Sequence, residues 1–139
     1  MPFDPLVHNI PTLLDGSINV PLVVDPATEQ PVRIIPTTDA WSIKLSWNLS
    51  GLFASVLAGD WHVTAYLEAL DGGTDPGQVG PSMVVPLTIA TAYSTTINVP
   101  PGVRAGVFKL TTAITYKIGA TPFPMAAFSE GTILQFFVP

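Results

Sequence analysis

Cysteine is absent from the 139 residues of this chain. Disulfides, thiolate metal sites and cysteine nucleophiles are thereby excluded. Charge is nearly as scarce. Asp, Glu, Lys and Arg make up 11% of the residues, against about 25% in an ordinary globular domain. The five basic residues, Arg33, Lys44, Arg104, Lys109 and Lys117, are scattered, and the net charge is −5. Nucleic-acid binding needs clustered cations that displace counterions from phosphate, so no nucleic-acid partner is expected. His8 and His62 are the only histidines. No G-x-S-x-G elbow supplies a nucleophile, and no glycine-rich loop leads into a lysine that would hold phosphate. Neither a catalytic role nor a cofactor is expected. An apolar run of 18 residues is missing as well, so no membrane span is expected. The opening residues carry no basic and continuously apolar leader, and Pro2, Pro5 and Pro11 would interrupt one. The expected address is the cytoplasm, leaderless export, or secretion of a trimmed chain.

What is present is apolar and rich in proline. Hydrophobic residues make up 47% of the chain, enough for one core in a domain of this length. A surface so poor in charge is left to Ser, Thr, Asn, Pro and apolar groups, and such surfaces associate readily because little opposes contact. Seven of the 15 prolines fall within the first 36 residues, and the next is Pro76. Proline at that density forbids helix and central strands alike. Residues 1–36 therefore read as an extended arm that contributes edge strands, with a sandwich domain over 37–139. In the arm, Ile18, Val20, Leu22 and Val24 alternate, as do Val32 and Ile34, which lays one face on something apolar.

Beyond the arm, period-two alternation recurs. Trp41, Ile43, Leu45 and Trp47 share one face of a strand, and Trp61, Val63, Ala65, Leu67 and Ala69 share one face of another. Leu52, Phe53, Val56 and Leu57 have helical spacing between Ser50 and Gly59, which fits a two-turn helix or an apolar loop. The run 71–82 reads as a turn-rich loop, followed by an edge strand around Pro86. Further strands are predicted over 93–99 and 107–118, with a turn over 119–124. The last strand is broken, 125–128 and 132–138, with a bulge or kink at Ser129–Gly131. Seven to nine short strands without a long helix predict an all-β antiparallel sandwich. Trp61 near the start of a central strand and the long strand ending at Tyr116 resemble the immunoglobulin-like superfamily. The resemblance covers about residues 37–139 and lacks that superfamily's cysteine pair. It implies a fold and no particular activity.

Candidate functional residues follow from the strand phases. His62, Thr64, Tyr66 and Glu68 project to one side of their strand, away from the tryptophans. If that strand pairs with 107–118, Lys109 and Lys117 adjoin them and Glu68 faces a lysine. Tyr66 on a threonine-rich, weakly charged face suits a contact surface. Asp71 and Asp75 in the glycine-rich run begin a calcium ligand set but do not complete the six to eight oxygens it requires. Turn formation is the better reading for both, and no metal is expected. Trp41, Trp47 and Trp61 fall on the apolar phase of their strands, which favours core packing over stacking on sugars. The expected function is a non-enzymatic structural subunit that self-associates as a homo-oligomer or filament, by strand addition through Ile18, Val20, Leu22 and Val24 of the arm. The alternative is a binding module that recognises a protein or glycan through the Tyr66 face or the loops 71–82 and 119–125.

Overall fold

The computed structural model describes residues 15–50, 59–88, 91–118 and 121–139. Nine strands form two sheets: β1 (Asp15–Ile18), β2 (Leu22–Val24), β3 (Ile34–Pro36), β4 (Trp41–Ser50), β5 (Asp60–Ala69), β6 (Gly77–Pro86), β7 (Ala92–Val99), β8 (Gly106–Ile118) and β9 (Thr121–Phe137). In the first sheet β4 lies between β7 on one side and β1 and β2 on the other; the second runs β3-β9-β8-β5-β6. All pairings are antiparallel except β3 with β9. The expected all-β sandwich is the observed fold. Among the described residues no helix is present that could cross a membrane. The helix or loop expected over 52–57 lies outside the described residues.

The strands with strict alternation bury the faces their sequence marks. Trp41, Ile43, Leu45, Trp47 and Leu49 on β4 are each at most 2% exposed, as are Trp61, Val63, Ala65 and Leu67 on β5. The sheets are pinned through an aromatic cluster. The Trp61 ring on β5 lies 6.0 Å from Trp47 on β4, 5.8 Å from Tyr93 on β7 and 5.9 Å from Tyr116 on β8. Trp41 meets Phe136 edge-on at 5.4 Å near the other end. Edge-to-face contacts of this kind add about 0.5–1.5 kcal/mol each beyond the area they bury. All three tryptophans are therefore core residues.

Extra residues occur at three places, between β1 and β2, within β6 and within β9, and two of them change what faces where. On the arm, Ile18 pairs with Trp47 and Leu22 with Lys44. Three residues (Asn19, Val20, Pro21) thus oppose two on β4, and Pro21 has no N–H for the ladder. The extra residue reverses the phase. Ile18, Val23 and Val24 are buried, while Val20 and Leu22 are 76% and 46% exposed. The expected single face of Ile18, Val20, Leu22 and Val24 is corrected accordingly. Residues 15–36 of the arm supply β1, β2 and β3, so they contribute edge strands to both sheets of their own chain.

On β6, Val79 pairs with Ala65 and Met83 with Val63. The strand leaves the ladder at Gly80–Ser82 and returns in the same phase. Gly80 has φ +68, and a Cβ there would collide with Ile97 on β7. The run 71–82 is accordingly loop only as far as Pro76, because Gly77–Ser82 belong to β6 despite their turn-forming composition. The turn expected over 119–124 is likewise shorter, since β9 already begins at Thr121.

On β9 the register against β8 shifts between Leu110–Thr132 and Thr111–Glu130, leaving Gly131 unpaired at φ +108. Ala127 and Ser129 are buried before it; Thr132, Leu134 and Phe136 are buried after it. The expected bulge at Ser129–Gly131 sits inside one continuous strand.

Candidate functional site

The outward side of the second sheet brings most of the singled-out residues together. His62, Thr64, Tyr66 and Glu68 stand on β5 opposite Thr115, Ala113, Thr111 and Lys109 of β8, and Asp60 stands opposite Lys117. The expected Glu68–lysine pair forms with Lys109 at 3.1 Å. At the surface such a pair contributes no more than about 1 kcal/mol. The two central strands thus present two anions and two cations in facing positions.

Around this centre lies an apolar surround that the face-by-face reading of β5 and β8 missed. Phe128 is 55% exposed opposite Ala113, Ile133 is 41% exposed opposite Lys109, and Val84 is 54% exposed opposite His62. Tyr66 is 41% exposed among them, and Ile34 extends the surface onto β3 beside Gln135. Phe128 and Ile133 share this side because Gly131 between them reverses the phase. The readable signal was the alternation Ile133, Gln135, Phe137 against Thr132, Leu134, Phe136. Four strands of ten residues or more and the three-residue β3, about 4.8 Å apart at ~3.4 Å per residue, outline a face of roughly 700 Å². That is close to the roughly 800 Å² per partner buried in a standard interface.

The loop acids take a different role from the calcium ligands considered above. Both oxygens of Asp71 are held by the Arg104 guanidinium at 3.0 Å, and Oδ1 also accepts the Gly73 N–H at 2.9 Å. Asp75 Oδ1 accepts the Ala69 N–H at 2.8 Å. Arg104 also donates to the Thr74 carbonyl and lies 4.8 Å over the Phe108 ring. A guanidinium seated on Asp71 leaves no anionic pair for a cation. Among the described residues no group of three or more His, Cys, Asp or Glu is placed to hold a metal. Asp71 ties the β5–β6 loop to Arg104 just before β8, and Asp75 ties the same loop back to the end of β5.

Arg104, and secondarily the Gly73 N–H, hold the Asp71 carboxyl well below the usual carboxylate range. Asp71 in turn raises the Arg104 pKa. A carboxyl depressed on folding stabilises the fold fully above its unfolded value, near pH 4, and loses that contribution as the pH falls towards its folded value. Asp71→Asn is therefore expected to lower the melting temperature by a constant amount above about pH 5. The two melting curves are expected to converge as the pH falls below about 4. Thermal melts from pH 2 to pH 7 check this, and a gap that stays constant down to pH 2 contradicts it.

A separate cleft of about 460 Å³ lies between the start of β6 and the β7–β8 loop, lined by Pro76, Gln78, Val79, Val99, Pro101 and Arg104 among others. It is at the 71–82 loop and borders the outer face at Gln78, which stands opposite Tyr66.

Comparison with known proteins extends the fold and stops there. The sequence matches no family model and no curated protein. The C-terminal domain of Wzt superposes with a TM-score of 0.60 at 10% identity, over 98% of this chain and 87% of that one. A CARDB domain from Pyrococcus furiosus, determined in complex with di-metal ions, gives 0.52 at 11% identity, over 92% and 97%. A β-glucosidase from Erythrobacter marinus gives 0.55 at 12% identity, over 89% of this chain and 16% of that one. The likeness is one of fold. At these identities a shared sandwich carries no shared chemistry.

Proposed function

We propose that this domain is a non-catalytic structural subunit that binds a second copy of itself through the outer face of the five-stranded sheet. The observation that carries the reading is the exposed apolar set Tyr66, Val84, Phe128 and Ile133 on a single sheet face. Several large apolar side chains exposed on one sheet face mark an interaction surface more often than a wholly solvated one. Charge favours a copy as the occupant. The chain carries −5 overall, yet Asp60 and Glu68 stand opposite Lys117 and Lys109 on this face. Two like-charged molecules therefore meet least repulsion there, and a two-fold contact makes the face complementary to itself. The arm is the weaker candidate for strand addition, because Ile18 and Val24 are buried in the chain's own sandwich.

Phe128→Lys and Tyr66→Lys replace exposed side chains and are expected to leave the far-ultraviolet circular dichroism unchanged. Combined, they are expected to weaken association at least tenfold by sedimentation equilibrium, about 1.4 kcal/mol. A wild-type protein that stays monomeric up to roughly 1 mM, or a folded double variant that associates as tightly as wild type, overturns the reading. A folded monomer that binds another protein or a glycan through Tyr66 would favour the binding-module alternative.

A further inference from the structure

Among the described residues the sandwich has four strand edges, and three are guarded. β1 and β2 have four and three residues with Pro21 between them; β3 has three and ends at Pro36; β6 contains Pro81 and Pro86 and leaves its ladder at Gly80. Short strands, proline and kinks are the usual means by which a sheet edge discourages further pairing. β7 has none of these. Its eight residues, Ala-Tyr-Ser-Thr-Thr-Ile-Asn-Val, include no proline and no charge. It pairs with β4 in unbroken register from Trp41–Val99 to Asn48–Ala92.

The direction of its free groups follows from one bond. The Leu49 N–H donates to the Thr91 carbonyl at 2.8 Å. In an antiparallel ladder the residues of one parity then exchange hydrogen bonds with β4, and those of the other point their N–H and C=O away from it. Ala92, Ser94 and Thr96 belong to the second set. Among the described residues no strand pairs with that outer side of β7. The far end, Ile97–Val99, is approached by Gly80 of β6.

We infer that this edge pairs with β7 of a second copy, antiparallel about a two-fold axis at Ser94. Ala92 then faces Thr96 of the other copy, Ser94 faces Ser94, and the three pairs exchange about six main-chain hydrogen bonds. A copy is the fitting occupant for two reasons. An antiparallel strand paired with itself gives every donor an acceptor. The strand also brings no charge into the contact in a chain that carries −5 overall. The outward side chains are Ser and Thr, which pair favourably across strands. The edge belongs to the first sheet and the Tyr66 face to the second, so this contact stands independently of the one proposed above.

The cysteine-free sequence makes the test direct. Ser94→Cys introduces a single thiol, and facing residues of a hydrogen-bonded antiparallel pair lie about 5.5 Å apart at Cα, within disulfide range. Mild oxidation is expected to give a covalent dimer at least tenfold faster than with Thr38→Cys, an exposed control in the β3–β4 turn. The difference is expected to persist when Phe128→Lys and Tyr66→Lys are added. Thr96→Lys, which places a charge on the edge, is expected to suppress cross-linking when combined with Ser94→Cys. Cross-linking no faster than the control in a folded protein overturns the inference. So does cross-linking that disappears with the face variants, since the face contact alone would then have brought the thiols together. Rapid cross-linking that persists in the face variants supports the edge contact, whether or not sedimentation equilibrium supports the face contact.

Discussion

Trp61→Ala is expected to remove about 3–5 kcal/mol of stability, the usual cost of deleting a fully buried large aromatic. For a domain whose total is about 5–15 kcal/mol, that is a large share of what holds it folded. The reason is position as much as size. The ring touches Trp47 and Tyr93 of the first sheet as well as Tyr116 of its own, so its removal opens a cavity between the layers. Urea unfolding followed by the fluorescence of Trp41 and Trp47 measures the loss, at fixed protein concentration because association would shift the midpoint. Tyr66→Ala, on the outer side of the same strand, is expected to cost under about 1 kcal/mol. A Trp61→Ala variant as stable as Tyr66→Ala would show that the inter-sheet cluster does not hold the layers together.

Deletion of Gly131 is expected to be more damaging still. Between Glu130 and Thr132 it is the one residue β9 holds in excess over β8, and removing it forces either a one-residue slip or a reversed phase for everything after it. Leu134 and Phe136, now 0% and 3% exposed, would turn to solvent, and Gln135 would enter the core. Two large apolar side chains lost to water are worth at least about 3–6 kcal/mol before the buried amide is counted. Folded protein is expected to be recovered poorly, with near-ultraviolet circular dichroism lost. Gly131→Ala is the informative companion. It keeps the residue count, a Cβ there meets nothing within 4 Å, and only the positive φ opposes it. Its expected cost is about 1–3 kcal/mol. If the deletion were no worse than the alanine variant, the phase argument for β9 would fail.

The same phase argument explains what the sequence disclosed. β4, β5 and β8 alternate without interruption, so their buried faces followed from residue types alone, and the Glu68–lysine contact followed once β5 was paired with β8. Trp61 and Tyr116, which carried the likeness to immunoglobulin-like domains, are indeed neighbours in the core. Reading failed where a strand holds extra residues. One extra residue before Leu22 sends Val20 and Leu22 outward, and nothing in the alternation of the arm announces it. The Gly80–Ser82 excursion gives half of β6 the composition of a loop, because glycine and proline usually end pairing and here mark only a kink. The bulge in β9 was visible through Ser129-Glu130-Gly131, but its effect on Phe128 and Ile133 required counting residues across it. Asp71 pairs with Arg104 over 33 positions of sequence, a long-range match that no local motif signals.

The sandwich offers its apolar face on one layer and its unguarded edge on the other, so occupation of one leaves the second accessible. Each contact inverts the incoming copy. A row built by using them in turn would have no overall polarity: with an even number of copies its two extremities are equivalent, and whole dimers would add at the same rate to both.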